Sequence, residues 1–392
     1  MQKDINKLKL SILTEALLKD GNNVDKLLCY IVMNFKEKGE EIINQFIDDN
    51  VIDLKRYGAK VFKACCTNSY IGLIRFILNN KGLSSQAEYD YAIKIASTNG
   101  NVEAVKLLLE DGRADPSACG NYAIGDAACY GHVEVVKLLL AEKRVNPAAN
   151  NNYAIKVASA NGHVKVVKLL LEDGRADPSA CGNYAIRKAS TNGHAEVVKL
   201  LLTDKRVNPS AKSNYAIRKA SQNGHLEVIK LLLADKRVNP AADNNFVIWW
   251  VSYWGLADVV RLLLTDRKVS PAAMNNRAIR AASREDRVEV VKLLLEDGRS
   301  DPSAYGNYAI RIASANGHAE VVKLLLADKR VNPTARDNFA IRAASQNGHL
   351  EVVKLLLEDG RADPLACDNY AIRVASQNGY VKVVKLLSMY CK

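Results

Sequence analysis

The sequence lacks the features that mark a membrane protein, an exported protein or a metal site. No apolar run approaches the roughly 20 residues that a helix needs to cross a bilayer. Met1 to Asp20 carries charges of both signs in place of the unbroken apolar core of a signal peptide. The eight cysteines include no Cys-x-x-Cys and no zinc-like spacing with histidine. We therefore expect no membrane contact, no metal, no disulfides and a reducing, cytoplasmic location.

Aromatic residues and catalytic patterns are also scarce. Aromatics make up 6% of the chain, and its three tryptophans all lie between positions 249 and 254. We find no nucleophile–base pair, no paired catalytic carboxylates and no glycine-rich phosphate loop, so we predict no enzymatic activity and no cofactor. The formal net charge of +12 permits an acidic partner or nucleic acid without selecting between them.

The sequence is dominated by a repeat. Asparagine opens one copy after another at positions 31 residues apart, and Asp90 opens the first clear copy. A constant period in this range is typical of stacked repeat arrays. The opening asparagines stand at positions 121, 152, 183, 214, 245, 276, 307, 338 and 369.

Each copy has the pattern of two short helices. In the copy that opens at Asn183, we expect this asparagine to be the N-cap of the first helix, because its side-chain oxygen can accept a first-turn N–H. Ala185 and Ile186 begin one apolar stripe, Gly193 ends the first helix, and Val197 begins a second stripe. One such copy cannot bury its own apolar face and must stack on its neighbours.

The second helix carries the residues that point to a family. The run Gly-His-Ala-Glu-Val-Val-Lys-Leu-Leu-Leu, which begins at Gly193, resembles the second-helix motif of ankyrin repeats. The period is slightly shorter than the ~33 residues usual in that family, and Tyr-Ala-Ile-Arg stands where the family has Thr-Pro-Leu-His. The resemblance implies an all-α, helix-turn-helix solenoid of about 11 to 12 repeats, with a concave groove that binds a partner protein. The copies also resemble the ankyrin arrays of giant amoeba viruses and some protists.

We divide the chain into three parts. Residues 1–58 are predicted to be an N-terminal helical cap with a degenerate repeat, because a terminal repeat needs a polar outer face. An adaptor segment is the alternative for this region. Residues 59–368 are predicted to form the repeat array, and residues 369–392 the C-terminal capping repeat. We expect a monomer.

The copy that opens at Asn245 departs most from the others. Trp249 replaces an arginine, and Tyr253 and Trp254 replace the polar pair that precedes glycine. In the ankyrin family that pair faces the groove and often contacts ligand, so the resemblance implies partner contact at Tyr253 and Trp254. Exposed tryptophan and tyrosine are enriched at binding hot spots. For Trp250 we favour packing against a neighbouring copy.

The next copy is unusual where its first helix should end. Arg284-Glu285-Asp286-Arg287 stands where most of the other copies have a variable residue followed by Asn-Gly-His. Because glycine adopts the left-handed conformation that ends many helices, its loss predicts an altered helix end here.

A row of basic residues occupies one position of the first helix. Aligned one repeat apart, they would form a positive stripe that favours an acidic protein segment. The alternative is that these side chains bond to neighbouring loops. The row comprises Lys156, Arg187, Arg218, Arg280, Arg311, Arg342 and Arg373.

These observations predict a non-enzymatic protein-interaction scaffold, acting in the host cytoplasm if the protein is viral. Replacing Tyr253 and Trp254 with alanine should cost at least about 2 kcal/mol of binding. A basic solenoid that binds nucleic acid or another polyanion, and a spacer without a fixed ligand, are the alternatives. The partner site is predicted at Trp249, Tyr253, Trp254, Arg218, Arg280 and Arg284.

Overall fold

The computed structural model describes residue 31, residues 38–48, residue 52, residues 54–79 and residues 85–390. This part of the chain contains 23 helices and no strand, which confirms the predicted all-α class. The first helices of successive copies are α2 Leu54–Asn68, α4 Gln86–Thr98, α6 Ala118–Tyr130, α8 Ala149–Ala160, α10 Ala180–Thr191, α12 Ala211–Gln222, α14 Ala242–Trp254, α16 Ala273–Arg284, α18 Ala304–Asn316, α20 Ala335–Gln346 and α22 Ala366–Gln377. The second helices are α1 Gly39–Asp48, α3 Ile71–Asn79, α5 Val102–Asp111, α7 Val133–Ala141, α9 Val164–Asp173, α11 Ala195–Thr203, α13 Leu226–Ala234, α15 Ala257–Thr265, α17 Val288–Asp297, α19 Ala319–Ala327, α21 Leu350–Asp359 and α23 Val381–Tyr390.

The helices belong to two compact units. One comprises Met1–Ala189 and Glu196–Val207, and the other comprises Ser190–Ala195 and Asn208–Lys392. Within each unit, first helices pack against first helices of the next copy, and second helices pack against second helices. This is the stacking of a helical solenoid, in which each repeat covers the apolar face of its neighbour.

The predicted apolar stripes form the core. Ala185 and Ile186 of the first helix are at most 1% exposed, and Val197 and Leu201 of the second helix are fully buried. The same positions are buried in copy after copy. Burying one such branched side chain stabilises the fold by about 1.5–3 kcal/mol, so the repeated core supplies most of the stability.

The opening asparagine has a different role from the one predicted. It is the last of three consecutive left-handed residues at the hairpin tip, with φ of 61° at Asn183, whereas an N-cap residue is normally extended. In the next copy, the Asn214 side-chain oxygen accepts the backbone N–H of Asn239 at 2.9 Å. The N-cap prediction is therefore wrong. The asparagine instead joins the hairpin tip of its copy to the tail of that copy. Similar bonds recur at Asn121, Asn152, Asn245, Asn276, Asn307 and Asn338.

An arginine in the tail ties many of the copies to the one before. The Arg299 guanidinium donates to the Asp297 carboxylate at 2.8 Å and to the backbone oxygens of Val269 at 2.9 Å and Leu264 at 2.7 Å. Arg175 and Arg361 repeat the arrangement with their own preceding copies. This contact joins consecutive copies and was not predicted.

The histidine that follows glycine makes a second tie. His349 donates from Nε2 to the Ala315 carbonyl at 3.0 Å, and Asn347 donates from its side-chain nitrogen to the same oxygen at 2.7 Å. His132, His163, His225 and His318 make equivalent contacts 34 residues back.

The two terminal regions were predicted to be caps. Most of the predicted cap at 1–58 lies outside the described residues. Within it, α1 packs against α3, and the Glu40 carboxylate accepts the Leu73 backbone N–H at 2.7 Å. The assignments of residues 1–58 and 369–392 as caps stay predictions.

Candidate binding pocket

The aromatic residues of α14 form one cluster on the side of the helix that faces α16. Trp249 and Trp250 lie with their ring centroids 4.5 Å apart, and Tyr253 meets Trp250 edge-on at 5.5 Å. Phe246 meets Trp249 edge-on at 5.4 Å. Residues three and four positions apart share a helix face, which explains why the spacing of positions 246, 249, 250 and 253 gathers these rings.

Three arginines of α16 contact aromatic rings, Arg277 and Arg284 those of this cluster and Arg280 two tyrosines of α18. Arg277, Arg280 and Arg284 recur at helical spacing and therefore share one face of the helix. The guanidinium carbon of Arg277 lies 3.2 Å from the ring centroid of Trp249, and that of Arg284 lies 5.9 Å from Tyr253. Such stacking is the usual cation–π arrangement of arginine on an aromatic face.

Together these side chains line an open pocket of about 530 Å³. α14 supplies one wall, α16 supplies the basic wall, and Tyr308 of α18 closes the far side. No acidic side chain lines the pocket in the described part of the chain. The lining residues are Trp249, Trp250, Tyr253, Met274, Arg277, Arg280, Ala281, Arg284 and Tyr308.

The pocket is strongly positive. Partial burial lowers the pKa of Arg277, and the charges of Arg280 and Arg284 lower it further. Arg284 pairs with Glu285 at 2.7 Å, and this bond raises the pKa of Arg284. Arg277 has no carboxylate within ion-pair distance in the described residues. Like charges held together without matching acids favour binding of an anion.

Four of the six predicted site residues meet in this pocket, namely Trp249, Tyr253, Arg280 and Arg284. Arg280 also donates to the carbonyls of Asn275 and Met274 at its own hairpin tip. Because a guanidinium has five N–H donors, this leaves part of the group available to a ligand.

Trp254 lies outside the pocket and makes a structural contact. Its indole N–H donates to the Gln222 carbonyl at 3.0 Å, and its ring lies beside Gly224, where a β-carbon on the glycine would meet it at 3.4 Å. Most other copies have asparagine at this position, and Asn316 makes the same kind of bond. Trp254 thus replaces the asparagine tie, although 41% of the residue remains exposed.

Arg218 also lies outside the pocket lining. It pairs with Asp243 at 2.7 Å and donates to the Ser213 carbonyl at 3.0 Å. Arg311 and Arg342 bond to the carbonyls of their own tips in the same way. Of the two interpretations of the basic row, these contacts favour bonding to neighbouring loops.

Sequence reasoning missed Arg277 and Tyr308. The signal for Arg277 was present, because every other copy from Tyr91 to Tyr370 has tyrosine or phenylalanine at that position. Trp250, for which packing was favoured, is half-buried against Trp249 and also lines the pocket.

The unusual segment after α16 keeps the standard geometry. Asp286 adopts the left-handed conformation, with φ of 56°, in place of the missing glycine. α16 ends at Arg284, as its counterpart α12 ends at Gln222. The predicted change of helix end is therefore wrong. Arg287 takes over the histidine contact by donating to the Tyr253 carbonyl at 3.0 Å.

The described residues contain no group of three or more histidine, cysteine or acidic side chains placed to hold a metal ion. None of the described helices is both long and apolar enough to cross a membrane.

A family model for ankyrin repeats in sets of three copies matches the chain over most of its length. The matched segments are residues 62–151, 91–180, 155–244, 184–275, 217–304, 247–337 and 310–392. No curated protein matches the sequence.

Proposed function

Because the chain belongs to the ankyrin-repeat family, we propose that it is a non-enzymatic scaffold that binds a partner protein at the pocket between α14, α16 and α18. Ankyrin repeats are generally protein–protein interaction modules, and proteins built from them are typically scaffolds. The proposal rests on the pocket, in which the two copies least like the others bring aromatic and cationic side chains together.

The partner segment is acidic and carries an apolar or aromatic side chain. The arginines of α16 supply charge complementarity, and Trp249 and Tyr253 supply the desolvated anchors that dominate protein interfaces. The viral origin, the host cytoplasm and a monomeric state remain parts of this proposal.

Nucleic acid is the less favoured ligand. Tail arginines such as Arg175 and Arg299 are paired with aspartate and bound to backbone carbonyls. These cations are therefore less available to neutralise phosphates than the net charge suggests, and a gel shift at physiological salt should show no complex.

The test uses substitutions that restore residues found in other copies. A Trp249→Arg, Tyr253→Gln double variant should fold, because other copies carry arginine and glutamine there. Trp254→Asn is the matched control outside the pocket. We expect a protein captured from nuclease-treated lysate to bind wild type and the control, and to be lost with the double variant. Equal capture by the double variant would contradict the proposed site.

A further inference from the structure

The pocket offers more positive charge than an ordinary acidic side chain neutralises. Its lining carries three guanidinium groups, and only Arg284 has an acidic neighbour, Glu285, within ion-pair distance in the described structure. Arg277 and Arg280 together leave two positive charges without an acidic partner. A carboxylate brings one negative charge, whereas a phosphate monoester brings nearly two at neutral pH.

Guanidinium groups suit phosphate in geometry as well as in charge. Arginine presents a rigid fork of N–H donors that matches phosphate oxygens two at a time. Trp249 covers one face of the Arg277 guanidinium at 3.2 Å, which restricts the plane of the group. One Nη1 donor of Arg277 points at the Met274 sulfur at 4.0 Å. The described residues place no carboxylate within ion-pair distance of the group, so its other donors remain available to a ligand.

The walls of the pocket indicate what the phosphate is attached to. Trp250, Tyr253 and Tyr308 present aromatic surface beside the arginines. Aromatic rings prefer edge-to-face or offset contact with other aromatic rings, each worth about 0.5–1.5 kcal/mol beyond the area buried. A volume of about 530 Å³ accommodates a ring together with its charged group.

We propose that the pocket binds the phosphorylated tyrosine side chain of a partner protein, with the phosphate on Arg277 and Arg280 and the ring against the aromatic wall. This inference rests on the proposed function, since it specifies the chemistry recognised at the same site. Arg277 is the residue that determines specificity, because every other copy has an aromatic residue in its place.

The position of the tryptophans gives a local assay. All three lie in α14, so a change in intrinsic tryptophan fluorescence reports on this region of the chain alone. The full-length protein is titrated with phenyl phosphate, with phenylacetate as the carboxylate control and with inorganic phosphate as the control without a ring.

Phenyl phosphate should bind at least about tenfold more tightly than either control. Arg277→Tyr restores the residue type of the other copies and should fold, while its affinity for phenyl phosphate falls at least about tenfold. Arg342→Gln, which removes an arginine of the basic row outside the pocket, should leave the affinity unchanged. Circular dichroism of each variant verifies folding.

A second titration uses a short peptide with phosphotyrosine and its twin with phosphoserine. Tighter binding of the phosphotyrosine peptide is expected, because phosphoserine cannot reach the aromatic wall. Equal affinity for the two peptides, equal affinity for phenyl phosphate and phenylacetate, or no loss in Arg277→Tyr would each overturn the inference. Those results would leave the proposed function standing if the captured partner still required Trp249 and Tyr253.

Discussion

Position 268 allows a direct test of the arginine tie between copies. Lys268 stands where the tails of the other described copies, from Arg113 to Arg361, have arginine. Its backbone N–H still bonds to Asp266 at 2.9 Å. Leu233 and Val238, whose backbone oxygens correspond to the acceptors of Arg299, line an open pocket of about 570 Å³ together with Lys268. We therefore predict that Lys268→Arg restores the tie and stabilises the protein.

The magnitude follows from the contacts of Arg299. Its guanidinium makes two hydrogen bonds to carbonyls of the preceding copy and one ion pair with Asp297. Each hydrogen bond contributes about 0.5–1.5 kcal/mol net, and the ion pair adds little because the arginine side chain is 37% exposed. Lys268→Arg should thus raise the free energy of unfolding by about 1–3 kcal/mol, and Arg299→Lys should lower it by a similar amount.

Urea unfolding measures both changes, and guanidinium is avoided because it would compete for the same acceptors. Repeat arrays need not unfold in one step, so amide hydrogen exchange should accompany the unfolding curves. Exchange in α13 and α15 should slow in Lys268→Arg, while α21 should be unaffected. If Arg299→Lys were as stable as wild type, the arginine tie would have no energetic role.

Three further predictions concern the same repeated contacts. Bonding to Arg330 holds the pKa of Asp328 below its usual range, so the carboxylate stabilises the fold above the unfolded pKa of about 4, and this stabilisation is lost as pH falls through the lower folded pKa. In a plot of the urea unfolding midpoint against pH, Asp328→Asn should therefore weaken the fall at acid pH. An unchanged fall would contradict this. The Ser221 hydroxyl is fully buried and has no hydrogen-bond partner in the described structure. Ser221→Ala should therefore leave the free energy of unfolding unchanged or raise it by up to about 1 kcal/mol. A clearly lower melting temperature of the variant would show that the hydroxyl has a partner. Trp254→Ala should lose about 1 kcal/mol or more of stability while Trp254→Asn retains most of it, and equal stability of the two variants would refute the tie to Gln222.

The repeat period, the pairs of helices and the buried positions could all be predicted from the sequence. These features depend on local periodicity, and Ala185, Ile186 and Val197 lie in the core as their spacing predicts. The role of Asn183 was mispredicted because asparagine has two uses. It can cap its own helix or bond to a backbone N–H elsewhere in the fold, and only the register between copies decides which use applies.

The roles of Trp254 and Arg277 could not be predicted for the same reason. Trp254 has the composition of a hot-spot residue, yet its indole N–H replaces an asparagine bond to a carbonyl 32 residues back. Arg277 contributes to the pocket because Trp249 lies one copy earlier and across from it. That pairing depends on how neighbouring first helices pack, which no single copy encodes.

The most direct test is the affinity of the captured partner for three forms of the protein, measured by isothermal titration calorimetry. The forms are wild type, the Trp249→Arg, Tyr253→Gln double variant, and Trp254→Asn. Loss of the aromatic anchors should weaken binding by at least about 2 kcal/mol, or roughly thirtyfold, while Trp254→Asn binds like wild type. Wild-type affinity in the double variant would contradict recognition at this pocket.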